Sequence, residues 1–194
     1  MLTTSGCRAQ PPAWRKRFPG GVLGSFLALV VVWLVIAPGR GLAERLVPWQ
    51  GPVRQLPAAT IDGAPLSLDD YRGRIVLVHF FATWCEPCGP ELGALNRLHA
   101  ELGERLSIVA IDVGEPRDRL QRFLDKNPIS YPVALDADRA IARAWGVYAL
   151  PSTFVLDRAH AAAWQALGDI DWSEPSVRAR LTNPVSAPAE AAAP

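Results

Sequence analysis

The sequence predicts one exported α/β domain, in which helices flank a mixed β-sheet, preceded by a single membrane-spanning segment. Three features support this expectation: an apolar stretch near the N terminus, strand-like segments that alternate with segments of helical periodicity, and a closing pair of strands before a last helix. A length of 194 residues leaves room for one domain and a short appendage. The formal net charge of +1 gives no reason to expect a nucleic-acid partner.

The N-terminal region predicts a membrane anchor. Residues 1–20 carry four basic residues and no acidic residue, and they lead into an apolar stretch over residues 21–37 that ends at Pro38-Gly39. A helix of about 17 residues spans roughly 26 Å, close to the hydrocarbon thickness of a bilayer. Because positive residues stay on the cytoplasmic side, we expect everything after Arg40 to lie on the periplasmic side of the cytoplasmic membrane.

A cleaved signal peptide is the alternative, because small residues at Gly41-Leu42-Ala43 could form a cleavage site. The apolar stretch is longer than that of most signal peptides, which favours a retained anchor, and both alternatives export the domain. The predicted organisation is a cytoplasmic N terminus (1–20), a transmembrane anchor (21–38), a linker (39–51), a folded domain (52–181) and a disordered Ala- and Pro-rich tail (182–194).

The first half of the exported part predicts a hairpin, a buried strand and a helix. The segment Ala59–Tyr71 contains Asp62-Gly63, a dipeptide that favours a hairpin turn. The segment Arg74–Phe81 is almost continuously apolar, as expected for a central strand that is buried on both faces. Leucines recur at helical spacing within Glu86–Leu102, and Pro87 is tolerated because it falls in the first turn.

The second half predicts further alternation and a closing unit. Apolar runs and helical periodicity indicate a second buried strand, two helices, a pair of strands joined by a turn at Asp157–His160, and a last helix that Ser173 would cap. In chain order these elements are Leu106–Asp112, Arg117–Lys126, Asp138–Trp145, Ser152–Leu156, Ala162–Leu167 and Ser173–Leu181.

The chemistry of the chain is expected to reside in two of its three cysteines. Cys85 and Cys88 are separated by two residues and follow a predicted strand at the start of a predicted helix. Unpaired N–H groups and the dipole at a helix N terminus favour a thiolate, so Cys85 is the predicted nucleophile. Cys88, one turn deeper, would resolve the mixed disulfide that Cys85 forms.

Two other interpretations of the pair are weaker. A zinc site would need two further ligands, but the sequence has no second cysteine pair, and His99 and His160 lack ligand spacing. A purely structural disulfide would close so short a loop that it would add little stability. We therefore predict a redox-active pair with no metal and no other cofactor.

Two segments around this pair resemble a known family. FFATWCEPC at Phe80–Cys88 and GVYALPSTF at Gly146–Phe154 are similar to the TlpA-like and ResA-like thiol-disulfide oxidoreductases, the membrane-anchored branch of the thioredoxin superfamily. The similarity covers roughly residues 52–181, including Tyr71-Arg72-Gly73 and Val113-Gly114-Glu115. The resemblance implies a thioredoxin fold for this domain.

The resemblance also implies roles for residues around the cysteines. Pro151 would be cis and lie beside the disulfide, which leaves the backbone of Leu150 free to pair with a substrate strand; an ordinary trans proline is the alternative. Trp84 would shield the nucleophile, or else be a core aromatic. Apart from the resemblance, Glu86 and Pro87 are expected to tune the pair because they separate the cysteines. The charge of Glu86 opposes thiolate formation and so favours a reductant.

Two further residues are candidates for tuning the pair. Glu115 matches a family glutamate near the site, where it would tune the potential or shuttle a proton, although it could equally start a helix. His79 occupies a position that is a buried Asp in thioredoxins and commonly Asn in the TlpA-like branch. A neutral imidazole there could take the proton of Cys88; a hydrogen-bonded core histidine is the alternative.

The predicted function is therefore that of a membrane-tethered disulfide reductase that acts on protein substrates in the periplasm. A membrane electron carrier would return the pair to its reduced state. By family analogy, the substrates could be the haem-attachment cysteines of apocytochrome c or the copper-site cysteines of a respiratory oxidase subunit. A net oxidant or isomerase is one alternative, and a Cu(I)-delivery module that uses the same two sulfurs is another.

Overall fold

The computed structural model describes residues 46–182. The predicted cytoplasmic N terminus, the anchor over residues 21–38, most of the linker and nearly all of the tail lie outside this range. Within it, none of the helices combines the length and apolar character needed to cross a membrane.

The described range contains a six-stranded sheet, a small two-stranded sheet and four α-helices. Two single 3₁₀ turns, at Leu68–Tyr71 and Gly103–Arg105, connect some of these elements. In chain order the elements are β1 (Leu46–Pro48), β2 (Ala58–Ala59), β3 (Pro65–Leu66), β4 (Ile75–Phe81), α1 (Cys88–Leu102), β5 (Leu106–Val113), α2 (Arg117–Leu124), β6 (Val133–Asp136), α3 (Ala140–Ala144), β7 (Ser152–Leu156), β8 (Ala162–Leu167) and α4 (Pro175–Thr182).

The large sheet is mixed, as predicted, and its strand order is β1-β8-β7-β4-β5-β6. Strands β4, β5 and β6 run parallel, whereas β7, β8 and β1 each pair antiparallel with their neighbours. Every residue of β4 and β5 is buried, which explains why both strands are almost continuously apolar in sequence.

Two strands of the large sheet, β1 and β6, are not predicted from the sequence. Leu46–Pro48 lies in the predicted linker but forms the edge strand β1, which pairs antiparallel with β8. The sheet therefore begins before residue 52, the predicted start of the folded domain. Val133–Asp136 forms β6, which pairs parallel with β5. Both segments are too short to show a period of their own, and they are strands because a neighbouring strand completes their hydrogen bonds.

Several boundaries also differ from prediction. The paired strands near Asp62-Gly63 have only two residues each, and the end of that segment forms the turn Leu68–Tyr71. The last helix begins at Pro175 and includes Thr182, the first residue of the predicted tail. Ser173 does not cap it; its hydroxyl donates to Asp171 Oδ1 at 2.5 Å.

The two faces of the large sheet carry separate apolar clusters. Leu77 and Phe81 of β4 pack with Leu95 of α1, in a cluster that also contains both cysteines. Phe80 and Phe154 belong to the cluster on the opposite face. Side chains alternate along a strand. His79 lies two residues from both Leu77 and Phe81, so it shares the face that carries the cysteine pair.

Candidate active site

The cysteine pair lies where β4 passes into α1. Cys85 and Cys88 form a disulfide with an Sγ–Sγ distance of 2.05 Å and a Cα–Cα distance of 5.4 Å. The Cys85 amide donates to the carbonyl of Ala82 at 3.1 Å, so Cys85 sits in the turn before α1, while Cys88 is the first residue of the helix. Cys85 is 8% exposed and Cys88 1%, which makes Cys85 the more accessible sulfur.

The two residues between the cysteines form the solvent-facing side of this turn. Glu86 and Pro87 are both exposed, and Pro87 is the residue that precedes the first turn of α1. The helix therefore starts two residues later than predicted. The effect of Glu86 on the neighbouring thiolate stays a prediction.

The loop before β7 carries the predicted cis proline. The peptide bond between Leu150 and Pro151 is cis, as the resemblance implied. The carbonyl of Pro151 accepts a hydrogen bond from the Gly168 amide at 2.8 Å, and the ladder with β8 begins at the next residue, Ser152. Leu150 is only partly buried and precedes the paired region, so it takes no part in the ladder with β8.

An open cavity of about 480 Å³ adjoins both loops, and its lining includes Trp84 and Leu150. Trp84 is 58% exposed. It is therefore a surface residue next to Cys85, which contradicts its alternative interpretation as a core aromatic.

Glu115 anchors the loop that leads into Cys85. Its carboxylate is buried and accepts hydrogen bonds from the amide of Thr83 at 2.5 Å and from the Thr83 hydroxyl at 2.7 Å. Arg119 Nε completes the group with a 2.8 Å ion pair to Glu115. The alternative role of Glu115 as a helix-start residue does not match this geometry, because α2 begins at Arg117 and the carboxylate faces Thr83.

Asp112, at the end of β5, also belongs to the site. The sequence predicts only that it ends a strand. It is fully buried, and among the described residues neither of its carboxylate oxygens has a hydrogen-bond donor. Burial raises its pKa from the ordinary value of 3.8 to about 8. Glu115 adds to the rise, because its carboxylate accepts a hydrogen bond from the protonated form of Asp112 and repels the ionised form. At neutral pH Asp112 therefore holds a proton, whereas the Glu115 carboxylate accepts the two hydrogen bonds from Thr83 and pairs with Arg119.

Glu91 is a second buried acid that the sequence analysis missed. It lies on α1 three residues after Cys88, so the two share one face of the helix. Trp172 Nε1 donates to its carboxylate at 2.8 Å, and burial raises the pKa of Glu91 to about 7 against the opposing effect of that bond. The signal in the sequence is its position, because Glu91 precedes Leu95 by four residues and Leu98 by seven and so falls on the apolar face of the helix.

His79 lies in the middle of β4 on the sheet face that carries the cysteine pair. It is fully buried, and its Nδ1 lies 2.9 Å from the Thr153 hydroxyl, on the strand next to it. Burial lowers the pKa of His79 to about 3. A base with so low a pKa is a poor proton acceptor for a thiol, so the structure favours the hydrogen-bonded core histidine over the proton relay.

Replacement of His79 by asparagine tests this assignment. We expect His79→Asn to leave the pH dependence of disulfide exchange unchanged between pH 6 and 9, because the imidazole stays neutral throughout that range. The measurement is the rate of reaction of the reduced protein with a small disulfide at each pH. A displaced limb of the pH profile would instead assign proton transfer to His79.

Comparisons with known proteins agree with this geometry. The model of the AhpC/TSA family matches residues 50–164. The thiol-disulfide oxidoreductase ResA of Geobacillus thermodenitrificans is 33% identical over 99 residues, which cover 50% of this chain and 57% of that protein. ResA of Bacillus subtilis is 34% identical over 97 residues, which cover 50% of this chain and 54% of that protein. The chain thus spans about half the length of these curated relatives.

The fold has known counterparts as well. The crystal structure of a DsbF homologue from Corynebacterium diphtheriae superposes with a TM-score of 0.60 at 27% identity, covering 71% of this chain and 90% of that one. The mixed sheet with its flanking helices is therefore a thioredoxin-like fold, as the resemblance implied.

Proposed function

The chain belongs to the AhpC/TSA family, and from this membership and its cysteine pair we propose that it is a membrane-tethered thiol-disulfide oxidoreductase that reduces protein disulfides. One observation carries the proposal: Cys85 and Cys88 are bonded at the start of α1, with the more accessible sulfur in the turn before the helix. The ResA relatives, which are thiol-disulfide oxidoreductases, support it.

The reaction uses two sulfurs in sequence. In the reduced protein the Cys85 thiolate attacks one sulfur of a substrate disulfide, forms a mixed disulfide and releases the other substrate sulfur as a thiolate, which takes up a proton. Cys88 then loses its proton and attacks the Cys85 sulfur, which closes the bond seen here and releases the second substrate thiol. Two electrons pass from the pair to the substrate, and a membrane dithiol carrier must supply two electrons to restore it.

The acidic surroundings of the pair support a reductant. Glu86 is exposed between the cysteines, and Glu91 and Glu115 are buried nearby. Negative charge close to a sulfur opposes the thiolate and favours the uncharged disulfide, so it drives the pair toward giving up its electrons. A potential as oxidising as that of strong disulfide donors would contradict this direction and support a net oxidant or isomerase.

The proposed location comes from the sequence, and the proposed substrates come from the family resemblance. The basic residues before residues 21–37 favour a cytoplasmic N terminus and a domain in the periplasm, where a reductant needs an electron supply from the membrane. Substrates in that compartment could be the haem-attachment cysteines of apocytochrome c or the cysteines of a copper site.

Trapping with Cys88→Ala tests the proposed function. Without the resolving sulfur, the mixed disulfide at Cys85 has no internal thiolate to release it, so we expect covalent adducts with substrate proteins that a reductant removes. The measurement is mass spectrometry of adducts isolated on non-reducing gels. The double variant Cys85→Ala, Cys88→Ala is the control and should trap nothing. Absence of adducts, together with tight stoichiometric Cu(I) binding by the reduced protein, would favour a copper-delivery module instead.

A further inference from the structure

A groove with a basic side adjoins the disulfide. It is the cavity of about 480 Å³ described above, and we define the basic groove by Trp84, Arg139, Arg143, Tyr148 and Leu150, all of which line it. Trp84 directly precedes the reactive cysteine and Leu150 directly precedes the cis proline. A polypeptide bonded to the pair therefore has this groove beside it, and the volume of the groove suits a few side chains.

The aromatic residues of the basic groove are exposed to an unusual degree. Across residues 46–182 the exposed large apolar side chains are Val47, Trp84 and Tyr148, and Tyr148 is 78% exposed. Two of these three thus lie in the same groove. Exposed aromatic residues that cluster in one place are typical of surfaces that bind another protein.

The arginines of the basic groove are held in place and carry unneutralised charge. The guanidinium of Arg139 lies against the backbone of Gly114, in space that any side chain at that position would fill. Arg143 Nη1 donates to the carbonyl of Asp138 at 2.8 Å. No carboxylate within the described range forms an ion pair with either arginine, and the nearest acids of this segment, Asp136 and Asp138, accept hydrogen bonds from amides of α3.

We propose that the basic groove binds the part of the substrate protein next to its reactive cysteine and selects segments with an acidic residue beside an apolar one. This inference rests on the proposed function. The two arginines attract the acid, and the exposed aromatics pack against its apolar neighbour. Glu86 is an acid on the turn between the cysteines. It therefore disfavours a substrate orientation in which the acidic residue of the substrate lies at this turn.

Two synthetic peptides test the selection. Each holds one internal disulfide, and they differ only in a Glu or Gln beside a Phe close to one of the cysteines. The measured quantity is the second-order rate constant for oxidation of the reduced full-length chain at low salt. We expect the Glu peptide to react about fivefold faster than the Gln peptide, and the difference to shrink as salt screens the charges.

Variants identify the arginines as the source of the difference. The double variant Arg139→Gln, Arg143→Gln should react with both peptides at one rate, whereas Arg139→Lys, Arg143→Lys should keep most of the preference. Arg158→Gln is the matched control. Arg158 lies in the turn between β7 and β8, where its carbonyl accepts a hydrogen bond from the Gly73 amide, at the end of β4 opposite to the cysteines. This variant should leave both rates unchanged. Equal rates in the unaltered protein, or a preference that survives both glutamines, would overturn the inference. If neither peptide oxidised the protein, the proposed function would be overturned as well.

Discussion

Replacement of Cys85 by serine is expected to lower the rate of disulfide exchange by roughly a thousandfold or more. The reaction requires a sulfur that attacks, remains covalently bound and then leaves, and a serine hydroxyl does none of these with a disulfide. The fold should survive, because the substitution changes one atom at a position in a turn and leaves α1 intact, with Cys88 as its first residue. The measurement is the rate at which the reduced protein reacts with a peptide disulfide.

Cys7→Ser provides the matched control for that experiment. Cys7 is the third cysteine of the chain and lies before the predicted anchor, far in sequence from the pair. We expect its replacement to leave exchange unchanged. If Cys85→Ser kept its rate and Cys7→Ser lost it, the assignment of the nucleophile would be wrong.

The parts of this site that the sequence could predict are those with a local signal. Burial on both faces makes Ile75–Phe81 apolar except at His79, and the two cysteines follow that strand within a few residues. The order of elements then indicates a mixed sheet, and a family resemblance extends the prediction to Pro151. Each of these inferences depends on neighbours in sequence.

The parts that could not be predicted depend on contacts between distant residues. The hydrogen bonds from Thr83 to Glu115 join positions 32 residues apart, and Trp172 bonds to Glu91 across 81 residues. An acid at the end of a strand is usually solvated, so nothing in the local pattern marks Asp112 as buried. Its environment arises only when β4, β5 and the loop carrying Glu115 come together.

Asp112 leads to the second large prediction, which concerns stability rather than exchange. The folded protein holds a proton on Asp112 up to a pH of about 8, whereas the unfolded chain releases it near the ordinary pKa of 3.8. The native state therefore binds more protons between these values, and its stability falls as pH rises through that window. At about 1.4 kcal/mol for each pH unit, this group alone should lower the free energy of unfolding by about 3 kcal/mol between pH 6 and pH 9.

Asp112→Asn removes this loss, because an amide has nearly the shape of the protonated acid and cannot ionise. We expect the variant to match the unaltered protein at pH 6 and to exceed its free energy of unfolding by about 3 kcal/mol at pH 9. Denaturant unfolding of the full chain at both pH values is the measurement. A smaller loss, about 1 kcal/mol between pH 6 and 7, should remain in this variant because the pKa of Glu91 is also raised, to about 7, and adding Glu91→Gln should remove it.

Asp118→Asn is the matched control, since Asp118 is an exposed acid in the first turn of α2 and its replacement should leave the slope of stability against pH unchanged. An equal loss of stability in Asp112→Asn and in the unaltered protein would show that Asp112 is ionised in the folded state. That result would require a hydrogen-bond donor or a cation beside its carboxylate, because an unpaired carboxylate does not stay ionised when it is buried. Within the described residues, the donors of Thr83 and the guanidinium of Arg119 all go to Glu115 and none goes to Asp112, so Asp112 is buried as the neutral acid.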